Sequence, residues 1–338
     1  MDSTESREQT PPARVAVIGA GRWGRNHVRN FAALDALGAI CDSSPQALAA
    51  VSVPPGVTAY TDFGAVLSDP AVGALVLATP PDLHFSQAMA ALASGRHVLV
   101  EKPMTLSLGE AEEMERAARE QRLVLMVGHL LEYHPAFVKL RALVSAGELG
   151  EIVRLDASRL GAGAFHHRES VLWDLAPHDL SMILRLLSGA PQSVQAMGSS
   201  HVRPDLEDVV SANLAFPGGV RAQVMVSWLH PLKEQRLVVV GRRKTAVFDD
   251  VAKTGKLMLY PTRVPWQEGG PVTAQGEPEV VPYPEAEPLR AECEHFLHCV
   301  SAGSQPLTDG ASGVRVAQVL DACERSLRAD GTSIRLEA

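Results

Sequence analysis

Two charged residues end an apolar segment in the first third of the chain. Residues 98–100 (VLV) have the composition of a buried strand, and Glu101, Lys102 and Pro103 come directly after them. Charged groups are costly to bury unless they are paired or meet a ligand. Ligands of open parallel sheets bind at the carboxyl ends of the strands, so we expect these charges to line a ligand crevice.

A glycine-rich loop with phosphate-binding spacing lies near the N-terminus. The segment VAVIGAGRWG places Gly19, Gly21 and Gly24 in a G-x-G-x-x-G pattern after an apolar strand and before a helical pattern. In that context the glycines permit a tight turn, close approach of a pyrophosphate and close helix–strand packing. Phosphates would lie on the helix N-terminus. Arg22 and Trp23 belong to the same loop, and we expect both to flank the cofactor.

Asp42 ends the second predicted strand, near the position of the acidic residue that binds the adenosine ribose in such folds. A carboxylate there would repel a 2′-phosphate, so the sequence favours NAD over NADP. The alternative is that Asp42 only caps the helix that follows it, because serines and a proline come next in the chain.

Composition narrows the class of protein. The chain has 338 residues, which suggests about two domains, and its net charge of −8 disfavours a nucleic-acid partner. No apolar run reaches the ~18 residues of a membrane helix, so no membrane association is expected. The start lacks the order of a signal peptide, and residues 1–12 are expected to be a disordered tail. We therefore expect a cytoplasmic protein whose four cysteines are reduced thiols.

A cluster of cysteines and histidines, CEHFLHC at 293–299, raises the question of a metal site. Only residues three or four apart share a helix face, so His295 and Cys299 could meet while Cys293 points elsewhere. The apolar stripe formed by Leu289, Cys293 and Phe296 favours core packing, and we predict no metal site.

The order of predicted elements indicates the fold class. Apolar strands alternate with helices after residue 13, which is typical of a doubly wound parallel sheet. The predicted strands are 14–19, 37–42, 73–80, 98–100 and 123–128, and the predicted helices are 22–34, 82–94 and 107–121. Ser107 and Glu110 suggest a capping box for the last helix.

Strand-like segments follow one another after about residue 150, with a hairpin predicted at 215–223 and a long loop at 262–288. A final pair of helices is predicted at 289–301 and 311–328. We therefore expect an α/β protein with a Rossmann NAD-binding domain at 13–130. A second α/β domain at 131–338 would carry a large, mostly antiparallel sheet.

Three segments together resemble the Gfo/Idh/MocA family of NAD(P)-dependent sugar oxidoreductases. The segments are GAGRWGRNH, then ATPPDLHFSQAMAALASGRHVLVEKPMTLS, and finally VLWDLAPHDLSMILRLL. The second, with a threonine-proline turn, a histidine and then E-K-P, is the most specific. The resemblance implies a homodimer or homotetramer that forms through the open face of the second sheet.

The resemblance also implies roles for individual residues. Lys102 would hydrogen-bond the substrate, His178 would be the general acid/base, and Asp174 would help to bind the sugar. The Lys102–Pro103 peptide bond is expected to be cis. The cofactor would be lined by Thr79, Pro80, His84 and Glu101.

The chemistry of alcohol oxidation suits these residue types. Oxidising a secondary alcohol needs a base for the hydroxyl proton and a nearby hydride acceptor. A histidine titrates near neutral pH and can take the proton, so His178 suits this task. Lys102, held beside the cofactor, can hydrogen-bond the developing alkoxide.

The chain is most similar to the branch of the family that acts on nucleotide-linked sugars. The implied reaction is NAD-dependent oxidation of the C3 hydroxyl of a UDP-N-acetyl-hexosamine or its uronate. Arg159, Arg168 and the pair His166–His167 lie between Lys102 and His178 in the sequence and could contact a diphosphate. The alternative is an exposed loop. Tyr133 could contact the substrate or only pack in the core.

Other functions stay open at this point. One is a dehydrogenase for free sugars or inositols, and another is a reductase of dTDP-linked 3-keto-sugars. An NAD-dependent glycosidase would form no net NADH. A nucleotide-binding protein without catalysis would be expected to lack Lys102 or His178, and both are present.

Overall fold

The computed structural model describes residues 14–163, 165, 168–263, 266–267, 270–271 and 274–336. The predicted disordered tail at 1–12 and the pair His166–His167 lie outside the described residues. Within the described ranges, no helix is both long enough and apolar enough to cross a membrane.

A six-stranded parallel sheet forms the N-terminal part of the molecule. Its strands are β1 (Arg14–Ile18), β2 (Leu37–Cys41), β3 (Thr58–Tyr60), β4 (Val72–Leu77), β5 (His97–Glu101) and β6 (Leu125–Gly128). The strand order β3-β2-β1-β4-β5-β6 confirms the predicted Rossmann fold. The order reverses between β1 and β4, which opens a crevice at the carboxyl ends of these strands.

Helices cover both faces of this sheet. They are α1 (Gly24–Ala33), α2 (Pro45–Ala49), α3 (Phe63–Ser68), α4 (His84–Ala93) and α5 (Leu108–Gln121). The sequence predicts α1, α4 and α5 but not α2, α3 or β3, which are too short to show a periodic pattern. The predicted capping box of α5 is wrong, because the Ser107 side chain makes no capping bond. Instead, the Thr105 hydroxyl accepts a hydrogen bond from the Ser107 backbone N–H.

A nine-stranded sheet forms the second part of the chain. Its strands are β7 (Ile152–Ala162), β8 (Ser193–Ser199), β9 (Val209–Ala215), β10 (Arg221–Ser227), β11 (Leu229–Gly241), β12 (Thr245–Asp249), β13 (Leu257–Tyr260), β18 (Glu279–Val280) and β19 (Ile334–Arg335). The order is β18-β13-β12-β11-β7-β10-β9-β8-β19. All of these pairings are antiparallel except β7 with β10, so the predicted mostly antiparallel sheet is confirmed.

Two short ladders lie in the segment that the sequence predicts to be a long loop. Their strands are β14 (Thr262–Arg263), β15 (Trp266–Gln267), β16 (Gly270–Pro271) and β17 (Ala274–Gln275). The predicted hairpin between β9 and β10 is confirmed, with Gly218 and Gly219 at positive φ in the turn. That the open face of the nine-stranded sheet joins two or more chains stays a prediction.

Four helices complete the fold. They are α6 (Pro135–Ser145), α7 (Val171–Leu187), α8 (Pro288–Ala302) and α9 (Gly310–Arg328). Helix α7 packs on the second sheet and carries the third family segment. Helix α8 returns to the Rossmann sheet, where Cys293 and Phe296 pack with Phe31 in one apolar cluster. The core packing predicted for this helix is confirmed.

The glycine-rich loop joins β1 to α1 with little free space on its inner side. A Cβ atom at position 24 would lie 1.8 Å from the Gly19 carbonyl oxygen, whereas a Cβ at position 21 meets no atom within 4 Å. Gly24 therefore serves helix–strand packing. Gly21 faces open space on the cleft side, where a pyrophosphate can approach.

This contrast gives a matched pair of variants. Gly24→Ala should lower the free energy of unfolding by about 1–3 kcal/mol, because the methyl group overpacks the loop. Gly21→Ala should leave the melting temperature unchanged but weaken NAD binding more than about tenfold, because the methyl group occupies the pyrophosphate's space. Thermal denaturation and calorimetric NAD titration measure both effects. Equal destabilisation by the two variants would contradict these assignments.

Candidate active site

A cleft with a volume of about 920 Å³ opens at the carboxyl ends of the Rossmann strands. Both parts of the chain line it. It brings together eleven of the predicted site residues: Gly21, Arg22, Trp23, Thr79, Pro80, Glu101, Lys102, Arg159, Arg168, Asp174 and His178.

Lys102 connects the two parts of the chain at the centre of the cleft. Its Nζ atom lies 2.9 Å from Asp174 Oδ1 and 2.7 Å from the Asp174 backbone oxygen. The peptide bond between Lys102 and Pro103 is cis, as predicted. Strand β5 thus delivers the ammonium group to the first turn of α7, and the pair is only partly exposed.

Trp228 also belongs to this centre, although it is not among the predicted site residues. Its Nε1 atom donates a hydrogen bond to Asp174 Oδ2 at 3.0 Å. The Asp174 carboxylate therefore accepts from a lysine on one oxygen and from an indole on the other. No sequence signal could place Trp228 here, because its position depends on how β10 and β11 register in the sheet.

His178 lies one helical turn after Asp174, so both side chains share one face of α7. The imidazole lines the cleft, and its Nδ1 atom is buried without a hydrogen-bond partner among the described residues. Burial lowers the pKa of His178 well below its usual range, and the nearby Lys102 and Arg159 charges lower it further. His178 is therefore neutral at neutral pH and can accept a proton.

Arg159 lines the cleft, but its guanidinium group is already engaged. Its Nε and Nη2 atoms each lie 3.0 Å from an oxygen of Asp179, and both side chains are buried. This bidentate pair joins β7 to α7 beside His178. Arg159 is thus better placed to fix the histidine's helix than to bind a diphosphate.

Arg168 has a different environment, because it is exposed at the mouth of the cleft. Its Nη1 atom lies 2.6 Å from Asp82 Oδ1, and each side chain is about half exposed. Asp82 follows β4, whereas Arg168 precedes α7, so the ion pair spans the two walls of the cleft. Exposed ion pairs contribute little stability, and a phosphate could replace Asp82 at small cost.

Asp42 lies beside the glycine-rich loop. Its Oδ2 atom accepts a hydrogen bond from the Ala20 backbone N–H at 2.7 Å, and its Oδ1 atom accepts one from the Ser44 N–H at 2.8 Å. The side chain that caps α2 is Ser44, through Ala47, rather than Asp42. Asp42 therefore sits at the phosphate loop and remains a candidate for contact with the ribose.

Two further predicted site residues lie in the interior and do not line the cleft. His84 is buried, and its ring nitrogens each lie 2.9 Å from a carbonyl oxygen, that of Pro103 and that of Thr79. It ties together two segments of the cleft wall. Tyr133 is 7% exposed and packs in the core, where its hydroxyl lies 3.1 Å from Thr308 Oγ1. Of the two alternatives for Tyr133, substrate contact and core packing, the structure shows packing.

Other residues line the cleft without having been predicted, among them Phe165, Gln235 and Asp250. Gln235 belongs to β11 and Asp250 follows β12, so strand pairing brings them to the site from distant parts of the sequence. Phe165 lies against Trp228, with ring centroids 5.7 Å apart. The residue types of Phe165, Gln235 and Asp250 alone do not distinguish these positions from ordinary surface positions.

A Rossmann cleft that places a phosphate loop, a lysine and a neutral histidine around one space defines a nicotinamide-dependent oxidoreductase. The description "Oxidoreductase family, NAD-binding Rossmann fold" matches residues 13–129, and "GFO/IDH/MocA C-terminal domain" matches residues 137–247. The chain belongs to the GFO/IDH/MocA family, and its cofactor is NAD.

Relatives of known activity support this assignment. The chain is 32% identical to UDP-N-acetylglucosamine 3-dehydrogenase from Acidithiobacillus ferrooxidans over 90% of its length and 93% of the relative's. A solved structure of the enzyme of that name gives a TM-score of 0.79 at 29% identity, covering 94% of this chain and 99% of the other.

Other relatives widen the range of substrates. The NAD(+)-dependent scyllo-inositol 2-dehydrogenase of Bacillus subtilis is 25% identical over 96% of each chain. The WlbA dehydrogenase from Bordetella pertussis, solved with NADH and UDP-GlcNAcA, shares the fold with a TM-score of 0.79 at 24% identity, covering 96% of this chain and 99% of that one. The chain is therefore similar both to a dehydrogenase of a nucleotide-linked sugar and to a dehydrogenase of a free inositol.

Asp42 gives a direct test of cofactor choice. Asp42→Ala should weaken NAD binding about 10- to 100-fold relative to NADP, because it removes a charged acceptor and its repulsion of a 2′-phosphate. Dissociation constants for both cofactors, measured by calorimetry, check this ratio. Asp62→Ala is the matched control, since Asp62 follows β3 as Asp42 follows β2, but its carboxylate caps α3 by accepting a hydrogen bond from the Gly64 N–H. An unchanged ratio in Asp42→Ala would refute the assignment.

Proposed function

We propose that the protein oxidises the C3 hydroxyl of a UDP-N-acetyl-hexosamine or its uronate, with NAD as hydride acceptor. The observation that carries the proposal is the grouping of Lys102, Asp174 and His178 in one cleft that the phosphate loop also lines. The 32% identity to a UDP-N-acetylglucosamine 3-dehydrogenase supports the substrate class.

The loop and the first turn of α1 fit a dinucleotide. Gly21 leaves space that a side chain would fill, and no side chain of the described residues caps the N-terminus of α1. Free backbone N–H groups and the helix dipole favour phosphate there. When bound, NAD supplies the hydride acceptor. We assign its contacts to Gly19, Gly21, Arg22, Trp23, Gly24, Asp42, Thr79, Pro80, Glu101 and Lys102.

His178 and Lys102 would divide the proton chemistry between them. Neutral His178 takes the proton from the substrate hydroxyl, and the Lys102 ammonium donates a hydrogen bond to the same oxygen as negative charge develops. Asp174 holds Lys102 by two contacts and so fixes the direction of that donor. The Lys102 and Arg159 charges disfavour an imidazolium at His178, which favours release of the proton after turnover.

Arg168 is the cation we assign to the substrate's diphosphate. It is exposed at the cleft mouth, on the segment that leads into α7, and it pairs there with the exposed Asp82. A diphosphate offers a bidentate partner of higher charge than this carboxylate. Arg159 is excluded from that role by its buried pair with Asp179.

A panel of substrates tests the proposal. The purified protein with NAD is mixed separately with UDP-N-acetylglucosamine, its uronate, free N-acetylglucosamine and scyllo-inositol. Growth of the reduced-nicotinamide absorbance band is expected with a UDP-sugar and not with the free compounds. Reduction by scyllo-inositol alone would place the protein with the inositol dehydrogenases. Release of free sugar without net NADH would indicate a glycosidase.

Arg168 refines the same experiment. Arg168→Gln should raise KM for the UDP-sugar about tenfold or more while leaving NAD affinity unchanged, since a charge-assisted phosphate contact is lost. Arg242→Gln is the control, because Arg242 also forms an exposed ion pair, with Glu151, but does not line the cleft. Equal KM values in the two variants would remove Arg168 from the substrate site.

A further inference from the structure

A fully buried carboxyl group lies behind the cleft and takes no part in the mechanism above. Glu292, on α8, has no exposed surface, and neither of its carboxyl oxygens has a hydrogen-bond partner among the described residues. A buried polar group without a partner is costly, so each such group calls for a physical explanation.

Glu292 faces two other titratable groups. Ligand-type atoms of His27, Glu101 and Glu292 all lie within 4.8 Å of one another, and all three residues are buried. Glu101 and His27 are directly hydrogen-bonded, with Oε1 and Nε2 2.6 Å apart. Glu101 lines the cleft, whereas Glu292 does not. Glu292 is therefore connected to the nucleotide site through Glu101.

The surroundings distinguish the two carboxyl groups. Glu101 meets three donors: the Trp23 indole N–H, the His27 ring and the Lys102 backbone N–H. Donors favour an ionised carboxylate, so Glu101 carries the negative charge. Glu292 meets none of them, and two carboxylates this close in a buried space cannot both ionise readily.

A metal ion would be the other way to reconcile these charges. The 2.6 Å separation of His27 Nε2 and Glu101 Oε1 is a hydrogen-bond distance. Two ligands that each lie about 2.0 Å from one tetrahedral ion would be more than about 3 Å apart. The geometry therefore favours a proton over a cation.

We propose that Glu292 is a positioning residue that stays protonated and donates a hydrogen bond to Glu101. The bond would hold Glu101, and with it the Trp23 indole, in place against the bound NAD. The inference deepens the NAD-binding part of the proposed function and does not depend on the identity of the sugar.

Other groups packed around Glu292 act in the same direction. Cys293 is its neighbour on α8, and Glu132 and Tyr133, in the turn after β6, lie close enough to interact with it electrostatically. Burial raises the pKa of Glu292 well above its usual range, and the charges of Glu101 and Glu132 raise it further. A raised carboxyl pKa means that the neutral form is present at low and neutral pH and is lost as pH rises.

Infrared difference spectroscopy observes that proton directly. Wild type minus Glu292→Gln should show the C=O band of a protonated carboxyl group at alkaline pH. Burial raises the pKa of Glu132 to about 7, so Glu132→Gln is the matched control, and its difference band should fade above that pH. Absence of an alkaline band for Glu292→Gln would overturn the proposal.

NAD titration in the absence of any sugar tests the positioning role. Glu292→Gln can still donate to Glu101 and should bind NAD as wild type does at neutral pH. Glu292→Leu should weaken binding about 5- to 30-fold, because the donor is lost. Wild-type affinity should fall only at the higher pH where the C=O band of Glu292 is lost, whereas the affinity of Glu292→Gln should not change there.

The opposing outcomes are equally specific. Equal losses in Glu292→Gln and Glu292→Leu, or identical pH profiles in wild type and Glu292→Gln, would contradict a donated hydrogen bond. If a metal copurifies with wild type but not with Glu292→Gln, a cation and not a proton lies between the two carboxyl groups, and the proposal is contradicted. If Glu292→Leu does not fold, the infrared band and the two pH profiles still decide. Since no sugar is present, failure of the UDP-sugar assignment would leave these results unchanged.

Discussion

The contact between Lys102 and Asp174 is the interaction on which the active site depends. It joins the end of a Rossmann strand to the first turn of α7, which packs on the second sheet. One carboxylate thereby holds the Lys102 ammonium, the donor that we propose for the substrate hydroxyl, and the next turn of α7 carries His178. Lys102 and His178 belong to different halves of the chain, so this contact is what holds the ammonium and the imidazole together in the cleft.

The electrostatics of the cleft follow from this arrangement. Burial lowers the pKa of His178, and the Lys102 and Arg159 charges lower it further, so the imidazole is held in the neutral form that accepts a proton. On the nucleotide side, Glu101 gathers donors from α1 and from its own strand end. In the proposed function, the positive charge of Lys102 faces the substrate hydroxyl, and the buried Glu101 carboxylate supports the wall beside the dinucleotide.

Local sequence predicts the parts of this site that depend on one element. The glycine spacing predicts the phosphate loop, and the apolar run before Glu101 predicts a strand end at the crevice. The resemblance to a known family adds His178 and Asp174, whose four-residue spacing then places both on one helix face.

Residues whose roles depend on distant partners were not predictable in the same way. Arg159 and Asp179 are 20 residues apart, and only the packing of β7 on α7 shows that the arginine is already paired. Tyr133 lies in a short helical turn in which neighbouring residues face different sides. Leu130 and Leu131 line the cleft, whereas Tyr133 points into the core. Trp228 reaches Asp174 only because the second sheet pairs in one register.

The central claim is that Lys102 and His178 act on the substrate after NAD has bound. Single-turnover formation of reduced nicotinamide, measured by stopped-flow absorbance in Lys102→Ala and His178→Asn, tests it most directly, with NAD affinity measured in parallel. We expect the rate to fall about 10²–10⁴-fold in each variant while NAD affinity is retained. A wild-type rate in either variant, with NAD still bound, would contradict the account.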